Sequence, residues 1–175
     1  MLWSLVVADD LALPVLPTSV PRLTLRPLTA DAMEAYYELI VRNREHLTRH
    51  GDYEEMKVAT REAVARDFAS PLDRNLRFGL WFEDQLVGRA DLNPVDPPRY
   101  SMGYWLDEGV TGRGYMTAAC GALIDFALAG LGATDVFAGV THGNDRSVAV
   151  LERLGFGAVA EFEHYTRFHL SLHTE

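Results

Sequence analysis

The chain has 175 residues, 48% of them hydrophobic, and its 25 acidic side chains against 16 basic ones set a formal net charge of -9. That length makes a single domain over residues 1–175 the simplest organisation, large enough to bury a core without staples. The charge argues against nucleic acid, whose binding draws most of its affinity from a basic face, and Cys120 as the lone cysteine rules out an internal disulfide or thiolate metal site.

The N-terminal residues 1–7 are apolar but lack the basic start of a signal peptide, and no segment reaches the roughly 18 apolar residues of a membrane span. A reducing, cytoplasmic compartment with no membrane partner is expected. Residues 2–7 and 11–16 read as two short strands around Asp9-Asp10, with Pro14 and Pro17 pushing the second to an edge. Leu23-Thr24-Leu25-Arg26 alternates as a half-buried strand does, and Pro27 closes it. Thr29 is placed to cap a helix carrying Met33, Tyr36, Tyr37, Ile40 and Leu47 on one stripe, and a second helix is expected over residues 60–69.

Residues 76–82, the turn Glu83-Asp84 and residues 85–92 form the clearest hairpin, which residues 100–106 extend as a third strand. Then come a long helix ending at Gly130, a strand over 134–140, a helix over 144–154, and two strands over 156–163 and 165–172. A meander followed by β-α-β-α-β-β implies an α/β (α+β) fold, with a mixed, mostly antiparallel sheet of about seven strands flanked by helices on both faces.

The run from Tyr100 to Thr117 is a short aromatic strand that breaks into a glycine-rich turn and enters an apolar helix. Gly112 and Gly114 permit positive φ, and the first N–H groups of the helix lack internal partners, so the turn suits an anion such as phosphate. A dinucleotide site would need a third glycine where Thr117 stands and an acidic residue at the end of the next strand, whereas Asp135 lies at its start. No Gly-Lys-Ser/Thr is present either, which excludes a Walker loop.

Some thirty residues later comes His142-Gly143-Asn144-Asp145-Arg146-Ser147, continuing to Leu154-Gly155-Phe156. With the glycine turn, Arg22 to Leu28, Asn43-Arg44-Glu45-His46-Leu47 and Gly103-Tyr104-Trp105-Leu106, this resembles the GNAT superfamily of N-acetyltransferases, most closely its RimJ/RimL-type branch. The resemblance covers most of the chain. It implies acetyl-CoA as cosubstrate, with the pyrophosphate on the turn Thr111-Gly112-Arg113-Gly114-Tyr115-Met116 and onward to Thr117. Thr111 replaces the usual Arg or Gln of that turn, and Met116 the final small residue. It implies further that pantetheine pairs with the main chain of Tyr104, Trp105 and Leu106, with an amide near Tyr104 or Trp105 stabilising the oxyanion.

By the same resemblance Asn144 hydrogen-bonds the pantetheine arm, while its bland role is to cap the helix it opens. Many superfamily members place a proton-donating tyrosine four residues beyond Ser147; here Leu151 stands there, so Ser147 becomes the candidate acid for the departing thiolate. Arg153 reaches either the outer phosphate or solvent. For the base that deprotonates the acceptor, Glu161 is favoured over Glu163, Asp91 and Glu108, each of which also reads as a surface charge. His142 and His164 border the site, no metal is assigned, and mid-helix Cys120 is inert.

The segment between Glu163 and Phe168 is short for the branch, so the acceptor cleft is more open or is completed by a second copy of the chain as a homodimer. The resulting expectation is transfer of acetyl from acetyl-CoA to a primary amine, at a protein N-terminus or on a small molecule, by direct attack in a ternary complex. The alternatives are a CoA-binding module with little turnover, which Thr111, Met116 and Leu151 would fit, and an interaction protein with no ligand.

Overall fold

The computed structural model describes residues 12–69 and 75–173. One eight-stranded sheet runs through it in the order β1-β2-β3-β4-β5-β6-β8-β7. Its strands are β1 (Leu16–Pro17), β2 (Leu23–Pro27), β3 (Leu76–Phe82), β4 (Gln85–Asp96), β5 (Arg99–Leu106), β6 (Asp135–Thr141), β7 (Gly157–Glu161) and β8 (Tyr165–Ser171). Every neighbouring pair is antiparallel except β5 with β6. The expected strand over residues 2–7 lies outside the described residues, and the one over 11–16 shrinks to the two residues of β1.

Helices α1 (Met33–Thr48) and α2 (Arg61–Ala69) cover one face, where Tyr36, Leu39, Ile40, Leu47 and Val64 cluster with Leu86 and Trp105 from the sheet. On the other face lie α3 (Tyr115–Leu131) and α4 (Asp145–Arg153). Asp125 is the only charged residue of α3. Its Ala119, Cys120, Leu123 and Ala127 are fully buried against Leu25, Phe78, Leu80 and Leu92 of the strands. A helix apolar nearly all round belongs between two layers, and α4 supplies the second through Val148, Leu151 and Leu154. No helix among the described residues is long and apolar enough to cross a membrane.

Two local expectations are corrected. Thr29 does not cap α1 with its side chain: a 3-10 turn over Ala30–Ala32 comes first, closed by the Ala32 N–H on the Thr29 carbonyl at 2.9 Å. The hairpin strand β4 runs on to Asp96 through Pro94, because a bulge near Pro94 takes up the imino residue where the ladder is already irregular.

Candidate active site

The parallel pairing of β5 with β6 lasts three residues, from Arg99–Asp135 to Ser101–Phe137. Beyond it β5 continues against β4 alone and β6 against β8 alone, so the sheet opens into a cleft. The Asp107 N–H donates to the Val87 carbonyl at 2.7 Å, which fixes the alternation along β5. Tyr104 and Leu106 therefore turn their amides and carbonyls toward the cleft. His46 of α1 already reaches the Leu106 carbonyl, with its Nε2 at 3.1 Å, and burial lowers the imidazole pKa.

At the cleft's mouth the chain makes the glycine turn. Gly112 and Gly114 sit at φ +79° and +78°, and the space where a Cβ would stand is open at both. The first turn of α3 carries no side-chain cap, and none of the N–H groups of residues 112–117 has a protein acceptor among the described residues. Six amide donors are thus left without protein partners where the α3 dipole is positive, a cradle whose chemistry suits an anion. Tyr115 stacks on Phe82 and the Met116 side chain is buried in the core, so neither fills the cradle.

A cavity of about 1140 Å³ connects cradle and cleft. Its walls include Tyr104, Trp105, Leu106, Thr111, Gly112, Gly114, Tyr115, Met116 and Thr117 on one side, and Asn144, Ser147 and Arg153 on the other. Those twelve are brought together. Arg113 is exposed and outside the lining. Glu161 lies exposed at the end of β7 and is likewise outside it, because the register Glu161–Thr166 carries it to the sheet's outer edge. Asp91 is buried between Arg89 and Asn93, and Glu108 is paired with Arg49 at 2.8 Å.

Asn144 caps α4, its Oδ1 accepting the Ser147 N–H at 3.3 Å, which leaves its amide NH2 free to donate. The Tyr104 hydroxyl donates to the Ser147 carbonyl at 2.9 Å, tying β5 to α4 across the cleft. Burial raises the phenol pKa far above its usual range, so this ring stays a donor. Leu151 is fully buried in the core and supplies no acid.

Sequence reasoning missed Arg146. Its guanidinium donates to Thr111 Oγ1 at 3.0 Å, while that hydroxyl donates to the Glu108 carbonyl at 2.9 Å. The turn thereby regains from α4 a cation that Thr111 does not provide. A signal was present: an arginine in the first turn of a helix opposes the dipole and needs a separate reason.

A family model described as an acetyltransferase (GNAT) domain matches residues 22–157. Among curated proteins, the "Putative ribosomal N-acetyltransferase YdaF" of Bacillus subtilis (strain 168) is 31% identical over 141 residues, 77% of each chain. Among solved structures, RimL, a ribosomal alpha-N-protein acetyltransferase in complex with coenzyme A, superposes with a TM-score of 0.81 at 19% identity, over 90% of this chain and 98% of that one. RimJ of Mycobacterium smegmatis, in complex with a CoA disulfide, gives a TM-score of 0.73 at 23% identity, over 90% and 87%.

Proposed function

We propose that this chain, which belongs to the GNAT acetyltransferase family and is thereby an acyltransferase, moves an acetyl group from acetyl-CoA to a primary amine by direct attack in a ternary complex. The observation that carries the reading is the set of unpartnered N–H groups at residues 112–117, opening onto a cavity that follows the free edge of β5. In this reading the cradle and Arg146 hold the diphosphate, and a hydrogen bond to a charged partner contributes about 1.5–3 kcal/mol. The Asn144 amide and the Tyr104 main chain orient the pantetheine arm. Acetyl-CoA supplies the activated carbonyl.

The Tyr104 N–H points into the cleft, where it would meet negative charge developing on that carbonyl oxygen. Ser147 Oγ, which has no hydrogen-bond partner among the described residues, is free to give its proton to the departing sulfur and to regain one through water from the amine nitrogen, which loses a proton as the C–N bond forms. The names of YdaF and RimL together make the N-terminal amine of a ribosomal protein the first acceptor to try. The buried Cys120 thiol, its pKa pushed up by burial, takes no part and suits a reducing cytoplasm.

The test is thiol release from acetyl-CoA with a panel of peptides and amines, alongside calorimetry of CoA binding. Acceptor-dependent thiol release is expected. CoA binding without turnover on any amine would leave only a binding module.

A further inference from the structure

A second cavity of about 620 Å³ lies beside the first, and His50 and Asp52, in the segment after α1, line both. Thr141, His142, Glu163, His164 and Tyr165 complete its polar wall, and no lysine or arginine is among its lining residues. The Thr141 hydroxyl donates to Asp52 Oδ1, fastening the segment after α1 to the end of β6. Asp52 Oδ2 has no partner among the described residues. One carboxylate oxygen is thus anchored and the other is available, at the border shared with the cavity that holds Ser147. His142 donates its Nε2–H to the Phe162 carbonyl at 2.9 Å, so in the neutral ring Nδ1 is left as an acceptor.

We propose that this second cavity receives the acceptor, that Asp52 binds its ammonium group, and that the acceptor is a primary amine with no free carboxylate beside it. The substrate class follows from the charge of the wall. An ammonium finds Asp52 and Glu163 with no competing fixed cation, whereas the carboxylate of a free amino acid would face those same two groups with no lysine or arginine to receive it. A peptide N-terminus or an amino-acid amide satisfies the requirement; a free amino acid does not. Thr141 sits on the arm of the split sheet opposite β5, so an amine held by Asp52 approaches from the side away from the β5 edge. The proposal rests on the transferase reading for the identity of its ligand, but its site can be tested by binding alone.

The experiment titrates amino-acid amides and tripeptide amides, covering all side chains at the first position, into the CoA-loaded protein by calorimetry. The free amino acids that correspond to the single-residue amides are titrated in parallel, and thiol release from acetyl-CoA is followed separately. At least one amino-acid amide should bind, and the corresponding free amino acid at least tenfold more weakly. Asp52→Asn keeps an oxygen for Thr141 and should weaken amide binding tenfold or more, appearing in turnover as a raised KM with little change in kcat. CoA affinity and melting temperature should stay at wild-type values. Glu163→Gln, on the exposed rim, should weaken the amide two- to fivefold and keeps the test open if the Asp52 variant misfolds.

Equal binding by Asp52→Asn, equal binding of free amino acids, or no binding by any amide would overturn the acceptor site. Amide binding that depends on Asp52 without thiol release would instead uphold the site and remove the transferase reading. Turnover that ignores Asp52 would do the reverse.

Discussion

Arg146 and Thr111 come from different elements and share one hydrogen bond, which places a guanidinium at the glycine turn. Replacing Arg146 by alanine should weaken CoA about 10- to 100-fold, the span expected for one charge-assisted contact, as read by calorimetry at fixed salt. Ser147→Ala should lower kcat while leaving CoA affinity near wild type; unchanged turnover would remove Ser147 from the mechanism. Gly114→Trp confronts both the left-handed φ and the open cradle, so CoA binding should be lost in a protein that still folds. His46 is a residue-scale pH element. Its imidazole binds a proton less tightly in the folded chain than when unfolded, because burial opposes the charge. Its stabilising effect is complete above the unfolded pKa of about 6.5 and is lost as pH falls through that value toward the lower folded one. Melting temperature should therefore decline on acidification below about pH 6.5, and His46→Gln should flatten that part of the profile.

Among elements, β5 matters most because β4 holds one of its edges throughout, while β6 holds the other for only three residues and leaves the rest to the cleft. Pairing with β6 stops after Ser101, yet the two arms do not drift apart freely. Tyr104 to Ser147 and Asp52 to Thr141 bridge the opening, the first from β5 to α4 and the second from the segment after α1 to β6. Tyr104→Phe removes one bridge and leaves the Ser147 carbonyl without that donor. A loss of about 1 kcal/mol in urea unfolding is expected, together with a fall in turnover larger than any change in CoA affinity, since α4 carries Ser147. The helix α3 does two jobs that its composition reconciles: small buried residues at Ala119, Cys120 and Ala127 let it lie close on the sheet, and its uncapped N-terminus faces the cavity.

For the molecule as a whole, two helical layers on opposite faces of one sheet hold the cleft from both sides, with α1 contributing His46 and α4 contributing Asn144, Arg146 and Ser147. A ligand that spans these layers should stabilise all of them together. Acetyl-CoA at a hundred times its dissociation constant should raise unfolding free energy by about 2.7 kcal/mol, seen as a concentration-dependent rise in melting temperature. No shift at millimolar ligand would count against the cradle. The net charge of -9 also acts at this scale. Arg49, Arg146 and Arg153 all border the cavity of an otherwise acidic chain, so the anionic coenzyme should bind less tightly as salt rises.

Local rules made much of this legible in advance. The hairpin of β3 and β4, the glycine turn, the apolar helix after it and the Asn144 cap each depend on residues within a few positions of one another, where turn chemistry, periodicity and missing intrahelical partners act directly. The open glycine turn at the start of α3 could therefore be located from the chain alone, while the resemblance supplied its bounds and the ligand. Other features were not legible for the converse reason. Arg146 meets Thr111 across 35 positions, Tyr104 meets Ser147 across 43, and Asp52 meets Thr141 across 89. A carboxylate on a strand end also reads the same whether that end faces the cleft or the outer edge, so Glu161 could be chosen while Asp52, in a short polar stretch with no periodicity, passed unnoticed. Composition and local pattern determined which elements form and where a glycine turn leaves amides without partners; only the tertiary structure decided which distant side chains share the cleft, because that depends on where β5 and β6 part.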